Sequence, residues 1–160
     1  MIEAVIQRLD AWLRANRPAY YQLLQPGLTA QEFESFQSKL KLKMPEPFRD
    51  FYLWRNGQKV KSFEAFQHNF GLMSTKQILG AKRDLDELLE AGDFEGPNWW
   101  NTKWVPFLDN GGGDHFCIDL AGTFTKRPGQ VLWFLHDDGE RSVEYAGFAE
   151  WLTTFVDALE

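Results

Sequence analysis

Apolar side chains recur at steps of three and four residues along much of the first half of the chain, a spacing that places them on one face of a helix. The first such run ends at Arg17-Pro18. A shorter helix is expected to start near Pro45 and to end at Asn56-Gly57, where the glycine would provide a left-handed stop. Two other runs open with capping boxes, which are Thr29 with Glu32 and Ser74 with Gln77. The pattern therefore predicts four helices before Gly92.

Beyond residue 100 the pattern changes to short runs rich in β-branched and aromatic residues, separated by Gly, Asn and Asp turns. These runs cover residues 104–108, 115–120, 131–136 and 142–145. They predict an antiparallel meander, followed by an amphipathic helix that begins near Phe148. Residues 131–135 are apolar on both faces, which places them in the middle of the sheet under at least one layer of helices. The expected class is α+β, with helices packed against a mostly antiparallel C-terminal sheet.

Composition favours one globular domain over residues 1–160. The chain is 44% hydrophobic and 16% aromatic, which excludes a disordered protein, and no apolar run approaches the roughly 20 residues that span a bilayer. The N-terminal residues mix charged and apolar side chains and lack the apolar block of a secretory signal. A lone cysteine cannot form an intramolecular disulfide. We therefore expect a cytoplasmic protein with no membrane contact.

The net charge of the chain makes a protein a better candidate partner than a nucleic acid. The formal net charge is −6, and the phosphate backbone of a nucleic acid would repel such a chain unless a local basic patch prevailed. Two polar segments have simple structural interpretations. Residues 82–87 are expected to form the solvated face of their helix, and Asp138-Gly139 is expected to form a hairpin turn in which glycine supplies positive φ.

The glycine-rich stretch at residues 110–113 invites a ligand-binding interpretation. An aspartate follows Gly113 where a phosphate-binding loop needs Lys and Ser or Thr, and the nearby acids do not keep the register of a calcium-binding loop. The stretch is better explained as the reversal between two strands, with Asp114 bonding to exposed loop amides. It can still serve as a contact surface, since loops on rigid strands often carry recognition.

A cysteine or metal enzyme is a competing interpretation. Strand alternation places His115, Cys117 and Asp119 on one face, but neighbours on one strand are a poor nucleophile and base pair. Acids and histidines at the strand ends could also gather around a divalent metal, although they show no fixed ligand spacing. The residues in question are Asp109, Asp114, His115, His136, Asp137 and Asp138. We expect no catalytic residue, no metal and no cofactor.

Several segments together resemble the SUKH superfamily, which includes the yeast Smi/Knr cell-wall-assembly regulators and many bacterial immunity proteins. The segments are residues 40–57 (LKLKMPEPFRDFYLWRNG), 104–107, 113–120, 129–131 with His136-Asp137, and the helix that starts at 148–152. Met44 stands where a leucine is usual, and Trp99-Trp100 and the triple glycine are particular to this chain. The resemblance implies an α+β domain that acts by binding proteins and not by catalysis.

Within that resemblance, an immunity protein that neutralises a toxin such as a nuclease or deaminase is the first hypothesis. A regulatory module of the Smi/Knr type is the second, and a small enzyme is the third. An acidic surface suits capture of a basic toxin, and tryptophan is common in binding hot spots. The candidate partner-binding residues are Trp99, Trp100, Asp109, Asp114, Asp137 and Asp138.

Overall fold

The alternating C-terminal runs form an antiparallel meander, as the sequence pattern predicts. The computed structural model describes residues 2–60 and 64–160. Its helices are α1 (Ile2–Asn16), α2 (Pro18–Tyr21), α3 (Ala30–Leu40), α4 (Glu46–Trp54), α5 (Thr75–Glu90) and α6 (Phe148–Leu159). Its strands are β1 (Leu24–Pro26), β2 (Arg55–Gln58), β3 (Gly71–Leu72), β4 (Trp104–Asp109), β5 (His115–Asp119), β6 (Gln130–Phe134) and β7 (Arg141–Tyr145). The α+β class is confirmed.

Strand pairing produces two antiparallel sheets. The larger has the order β3-β4-β5-β6-β7, and β1 pairs with β2 in the smaller. The short strand β3 was not predicted, because none of the runs that indicated strands includes residues 71–72. In the part of the chain that the structure describes, no helix combines the length and apolarity needed to cross a bilayer.

Both capping boxes form as predicted. Thr29 Oγ1 accepts the Glu32 amide at 3.1 Å, and Glu32 Oε1 accepts the Thr29 amide at 2.9 Å. At the start of α5, Ser74 Oγ and the Gln77 amide are 3.2 Å apart, and the return bond from the Ser74 amide to Gln77 Oε1 is 2.9 Å. These bonds satisfy amides that the first helical turn leaves without intrahelical acceptors.

The predicted end of α4 is wrong. The helix ends at Trp54 and the chain continues directly into β2, so Asn56 and Gly57 lie inside a strand. Gly57 does have a left-handed φ of +67°. This conformation does not cap a helix; it belongs to a position where β2 passes close to the start of α5. A Cβ at this position would lie 2.5 Å from Ser74 N, so only glycine allows β2 to pass this close to the start of α5.

Helices cover one face of the large sheet and a shorter layer covers the other. The main core fills the space between the sheet and α1, α4 and α6. A break in the β4–β5 register after Pro106 lets both Phe107 and Leu108 face this core. On the opposite face a smaller cluster contains the sheet residues Trp104, Cys117, Leu132 and Phe134, covered by Trp100 and by side chains of α5.

Strand β6 lies inside the sheet, paired with β5 and β7, although the central strand is β5. Residues 131–135 were expected to be covered on at least one side, and Val131, Leu132 and Phe134 are buried, but Trp133 is 37% exposed. The helices on that face cover Val131 but stop short of Trp133, so apolar character alone did not predict where the helical layer ends.

Candidate functional site

Two loops meet at one end of the large sheet. Residues 110–114 connect β4 to β5, and residues 135–140 connect β6 to β7. The register pairs His115 with Phe134 and Phe134 with Arg141, so both loops leave the sheet at the same end. We call residues 109–114 and 135–140, together with Trp99, the loop end. It contains five of the six predicted partner-binding residues.

The first loop is held by its own side chains. Asp109 Oδ1 accepts the Gly111 amide at 2.8 Å, and Asn110 Oδ1 accepts the amides of Gly112 and Asp114 at 2.8 and 3.0 Å. Asp114 was expected to bond to exposed loop amides, and it does accept one, the backbone amide of His136 in the second loop. Asp109 and Asn110 already occupy amides of the first loop. Asp114 Oδ2 accepts from Asn110 Nδ2 at 3.0 Å within that loop, and Asp114 Oδ1 faces the second loop.

Asp114 joins the two loops through His136. Its Oδ1 accepts from the His136 amide at 2.9 Å and lies 2.8 Å from His136 Nδ1. Burial acts to raise the pKa of Asp114, but hydrogen bonds from the His136 backbone and ring outweigh it and the pKa falls. The hydrogen bond to Asp114 raises the pKa of His136. The pair therefore favours a charged carboxylate beside a charged imidazole.

We expect this pair to make stability depend on pH. The ordinary pKa of His136 is 6.5, and since its folded pKa is higher, its contribution is complete below about pH 6.5 and is lost as pH rises through the folded value. Asp114 contributes above its ordinary 3.8 and loses its contribution as pH falls through its lowered pKa. Melting temperatures of wild type should therefore fall from about pH 6.5 upward, and those of His136→Gln should fall less.

An NMR titration provides the control for that expectation. Asp114→Asn keeps a hydrogen-bond acceptor and removes the charge, so the pKa of His136 should move down toward 6.5. An identical His136 titration in wild type and Asp114→Asn would contradict the pairing.

Part of the suggested metal cluster does converge. Ligand atoms of Asp114, His136 and Asp137 all lie within 4.8 Å of one another. His115 does not join them, because it is buried and its Nδ1 lies 3.0 Å from Leu108 O. The Asp114 oxygen that faces His136 already receives two hydrogen bonds. A cation would have to compete with the His136 proton for this position.

The tryptophan pair divides between surface and interior. Trp99 is partly exposed, stacks on Phe94 and carries the Arg141 guanidinium 5.5 Å above its ring. Trp100 is only 3% exposed, and its Nε1 donates to Asp86 Oδ1 at 2.7 Å. Of the two candidates, only Trp99 offers a face that a partner could contact.

Gly139 sits against that tryptophan. The hairpin interpretation required a positive φ at Gly139, and this is wrong, because its φ lies outside the left-handed region. A Cβ on Gly139 would lie 3.1 Å from the Trp99 ring. Arg141 Nη2 also donates to Trp99 O at 2.7 Å and its Nη1 donates to Asp138 O at 2.6 Å. These contacts attach Trp99 to the second loop.

Lys82 corrects the interpretation of residues 82–87 as a solvated face. It is 6% exposed, and its Nζ donates to Asp86 Oδ2 and to Thr102 O, each at 2.6 Å. Asp86 therefore binds Lys82 through one oxygen and Trp100 through the other. This network fixes the segment that carries both tryptophans onto α5.

Cys117 is enclosed in the smaller core cluster, with no exposed surface. Burial raises the pKa of its thiol, which disfavours the thiolate that a nucleophile requires. Its neighbours on the same face have structural roles, since the Asp119 carboxylate accepts the amides of Ala121, Gly122 and Thr123. The arrangement gives no support to cysteine chemistry.

Sequence reasoning missed an exposed apolar surface beside the loop end. A shallow groove there is lined by Trp133, Leu135, Glu140, Arg141, Ser142 and Glu144. Strand alternation places Trp133 on the opposite face from Leu132 and Phe134, and that signal was present in the sequence. The surface adds an aromatic side chain and two acids next to the predicted residues.

Comparison with known proteins agrees with the expected resemblance. A model of the SMI1/KNR4 family (SUKH-1) matches residues 27–154, a range that includes both loops and Trp99. The F-box protein SKIP16 of Arabidopsis thaliana is 32% identical over 65 residues. That alignment covers 41% of this chain and 15% of the plant protein, so the similarity concerns a small part of the latter.

Proposed function

Because this chain belongs to the SMI1/KNR4 family (SUKH-1), we propose that it is an immunity protein that binds and neutralises a cognate bacterial toxin in the cytoplasm. It acts without catalysis, and the loop end is the contact surface. The observation that carries the proposal is the concentration of carboxylates there, with ligand atoms of Asp114 and Asp137 within 4.8 Å of each other.

The charge of the loop end suits a basic partner. Asp109, Asp114, Asp137, Asp138 and Glu140 lie in the two loops. Arg141, at the start of β7, donates to the backbone oxygens of Trp99, Asp138 and Glu140 and packs over the Phe134 ring at 4.4 Å, so its guanidinium is engaged within the protein. A nuclease that holds nucleic acid has a basic surface, and complementary charge speeds its capture.

Trp99 provides the apolar contact next to the acids. Its ring is partly exposed and is held by Gly139 and Arg141, so it would lose little freedom on binding. An immobilised aromatic side chain flanked by charge is a typical hot spot.

The plant similarity favours a second candidate function. SKIP16 is an F-box protein in which the matching segment is 15% of the length, so a related sequence occurs as one part of a longer chain. A protein-interaction module of the regulatory Smi/Knr type would fit that arrangement. It differs from the first candidate in needing no toxin gene beside its own.

We expect the acids and the tryptophan to affect toxin binding differently. The toxin is taken from the gene immediately upstream, and binding is measured by surface plasmon resonance at low and high salt. Asp137→Asn/Asp138→Asn should slow association and weaken its dependence on salt. Trp99→Ala should cost about 2 kcal/mol, roughly a 30-fold increase in the dissociation rate.

Asp84→Asn and Glu34→Gln serve as matched controls, because both acids are exposed on helices outside the loop end. If loop-end variants that remain folded bind like wild type, the loop end is the wrong surface. If the upstream product does not bind and does not harm cells that lack this protein, the immunity function is wrong and the regulatory module takes its place.

A further inference from the structure

A groove lies between α3 and α5, away from the loop end. Its volume is about 950 Å³. One face of each helix lines it, with Glu32, Ser35, Phe36 and Lys39 on α3 and Lys76, Leu79, Gly80 and Arg83 on α5. A helix about 10 Å wide with a pitch of about 5.4 Å would place roughly two turns in such a space.

Gly80 is unusual at its position. It lies inside α5, where glycine destabilises a helix relative to alanine. A Cβ at Gly80 would have no atom within 4 Å, so packing within the described fold does not require glycine here. Glycine does permit another backbone to approach closely. The groove is therefore open at Gly80, in the middle of the side formed by α5.

The groove is lined by both apolar and basic side chains. Leu28, Phe36 and Leu79 provide the apolar surface. Lys39, Lys76 and Arg83 provide three exposed cations against the single carboxylate of Glu32, which also caps α3. Within residues 2–60 and 64–160, neither Lys39 nor Lys76 forms an ion pair, whereas Arg83 lies 3.6 Å from the exposed Asp84. This local excess of positive charge is opposite in sign to the net charge of the chain.

A second, smaller groove lies next to the first along α5. It shares Lys39, Leu79 and Arg83 with the first groove, and its lining adds the cations Lys41 and Lys82 as well as the acids Asp86, Glu87 and Glu90. In the first groove, Lys39, Lys76 and Arg83 would attract negative charge on an occupant. Apolar contacts make a protein segment a better fit than a nucleic acid, whose backbone would meet Glu32 and these acids.

We infer that the α3–α5 groove binds an acidic amphipathic helix of a partner protein, with the helix backbone passing over Gly80. This is a second interaction surface, separate from the loop end and of opposite charge. It would allow the protein to hold an acidic partner segment while the loop end remains free.

A designed peptide tests the inference directly. The probe is a fluorescein-labelled peptide of about 14 residues, roughly four helical turns, with leucines on one face and glutamates flanking them. Fluorescence anisotropy with the whole protein should show saturable binding that weakens with salt. Gly80→Leu, which fills the open space at that position, and Lys76→Glu/Arg83→Glu, which reverses the charge, should each weaken binding at least about tenfold.

Matched variants separate binding from folding. Lys103→Glu/Arg127→Glu reverses two exposed cations outside the groove and should leave peptide binding unchanged. Gly80→Ala should raise the melting temperature by about 2 °C, which confirms that glycine is not needed by the fold. Absence of peptide binding, equal binding of a lysine-for-glutamate peptide, unchanged binding by Gly80→Leu, or preferential binding of a single-stranded RNA would each overturn the inference.

Discussion

Gly57→Ala should destabilise the protein by about 4 kcal/mol or more, because two separate costs combine at this position. The first is the left-handed φ of +67°, which an L-amino acid side chain disfavours. The second is steric, because the new Cβ would lie 2.5 Å from both Met73 C and Ser74 N. Both are backbone atoms, so a rotamer change cannot relieve the overlap and the start of α5 has to move away from β2.

Gly92→Ala separates the two costs. Gly92 has a similar φ of +76°, but a Cβ there would have no atom within 4 Å. This variant should lose only about 1 to 2 kcal/mol, the cost of the left-handed conformation alone. Urea denaturation of both variants measures the difference. Equal losses would show that the approach of β2 to α5 is not what requires glycine at position 57.

Lys82→Met should cost about 3 kcal/mol, the second largest expected effect. Methionine retains most of the apolar stem of lysine and removes the amine, so packing is nearly preserved. Thr102 O then loses a hydrogen bond, and Asp86 keeps its charge without the cation that faces it. Because Asp86 also binds Trp100 Nε1, the Trp99–Trp100 segment should loosen as well.

Urea denaturation of two further variants tests why Lys82→Met loses stability. Lys76→Met removes an exposed lysine from the same helix and should change stability by less than about 0.5 kcal/mol. Lys82→Met/Asp86→Asn removes both charges and should be less destabilised than the sum of the single variants. Additive losses would show that the pair is not coupled, contrary to the 2.6 Å contact.

Helices and strands were predicted correctly where the sequence pattern that indicates them lies within a short segment. Each capping box is a pair of side chains three residues apart, so its geometry is decided within a single turn. The meander followed from short β-rich runs separated by turn residues, and strand alternation placed His115, Cys117 and Asp119 on one face. The short strand β3 carried no such signal, since its two residues are defined only by pairing with β4.

The candidate site was predicted only in part. Loop acids were identified from their positions at strand ends, and the register does bring both loops together. The roles of individual side chains were not predictable, because they depend on which donors reach them first. Asp114 bonds to His136 across the sheet, while Asp109 and Asn110 occupy the nearer amides.

The sequence alone determined the α+β class, the family resemblance and the acidic strand-end loops, because periodicity, caps and charge are properties of short segments. Tertiary structure decided which of two adjacent tryptophans is exposed. It buried Lys82 and made glycine necessary at position 57. It also formed the groove over Gly80. Each of these depends on contacts between segments far apart in the chain, and their distances are set by packing against the sheet, which no local pattern records.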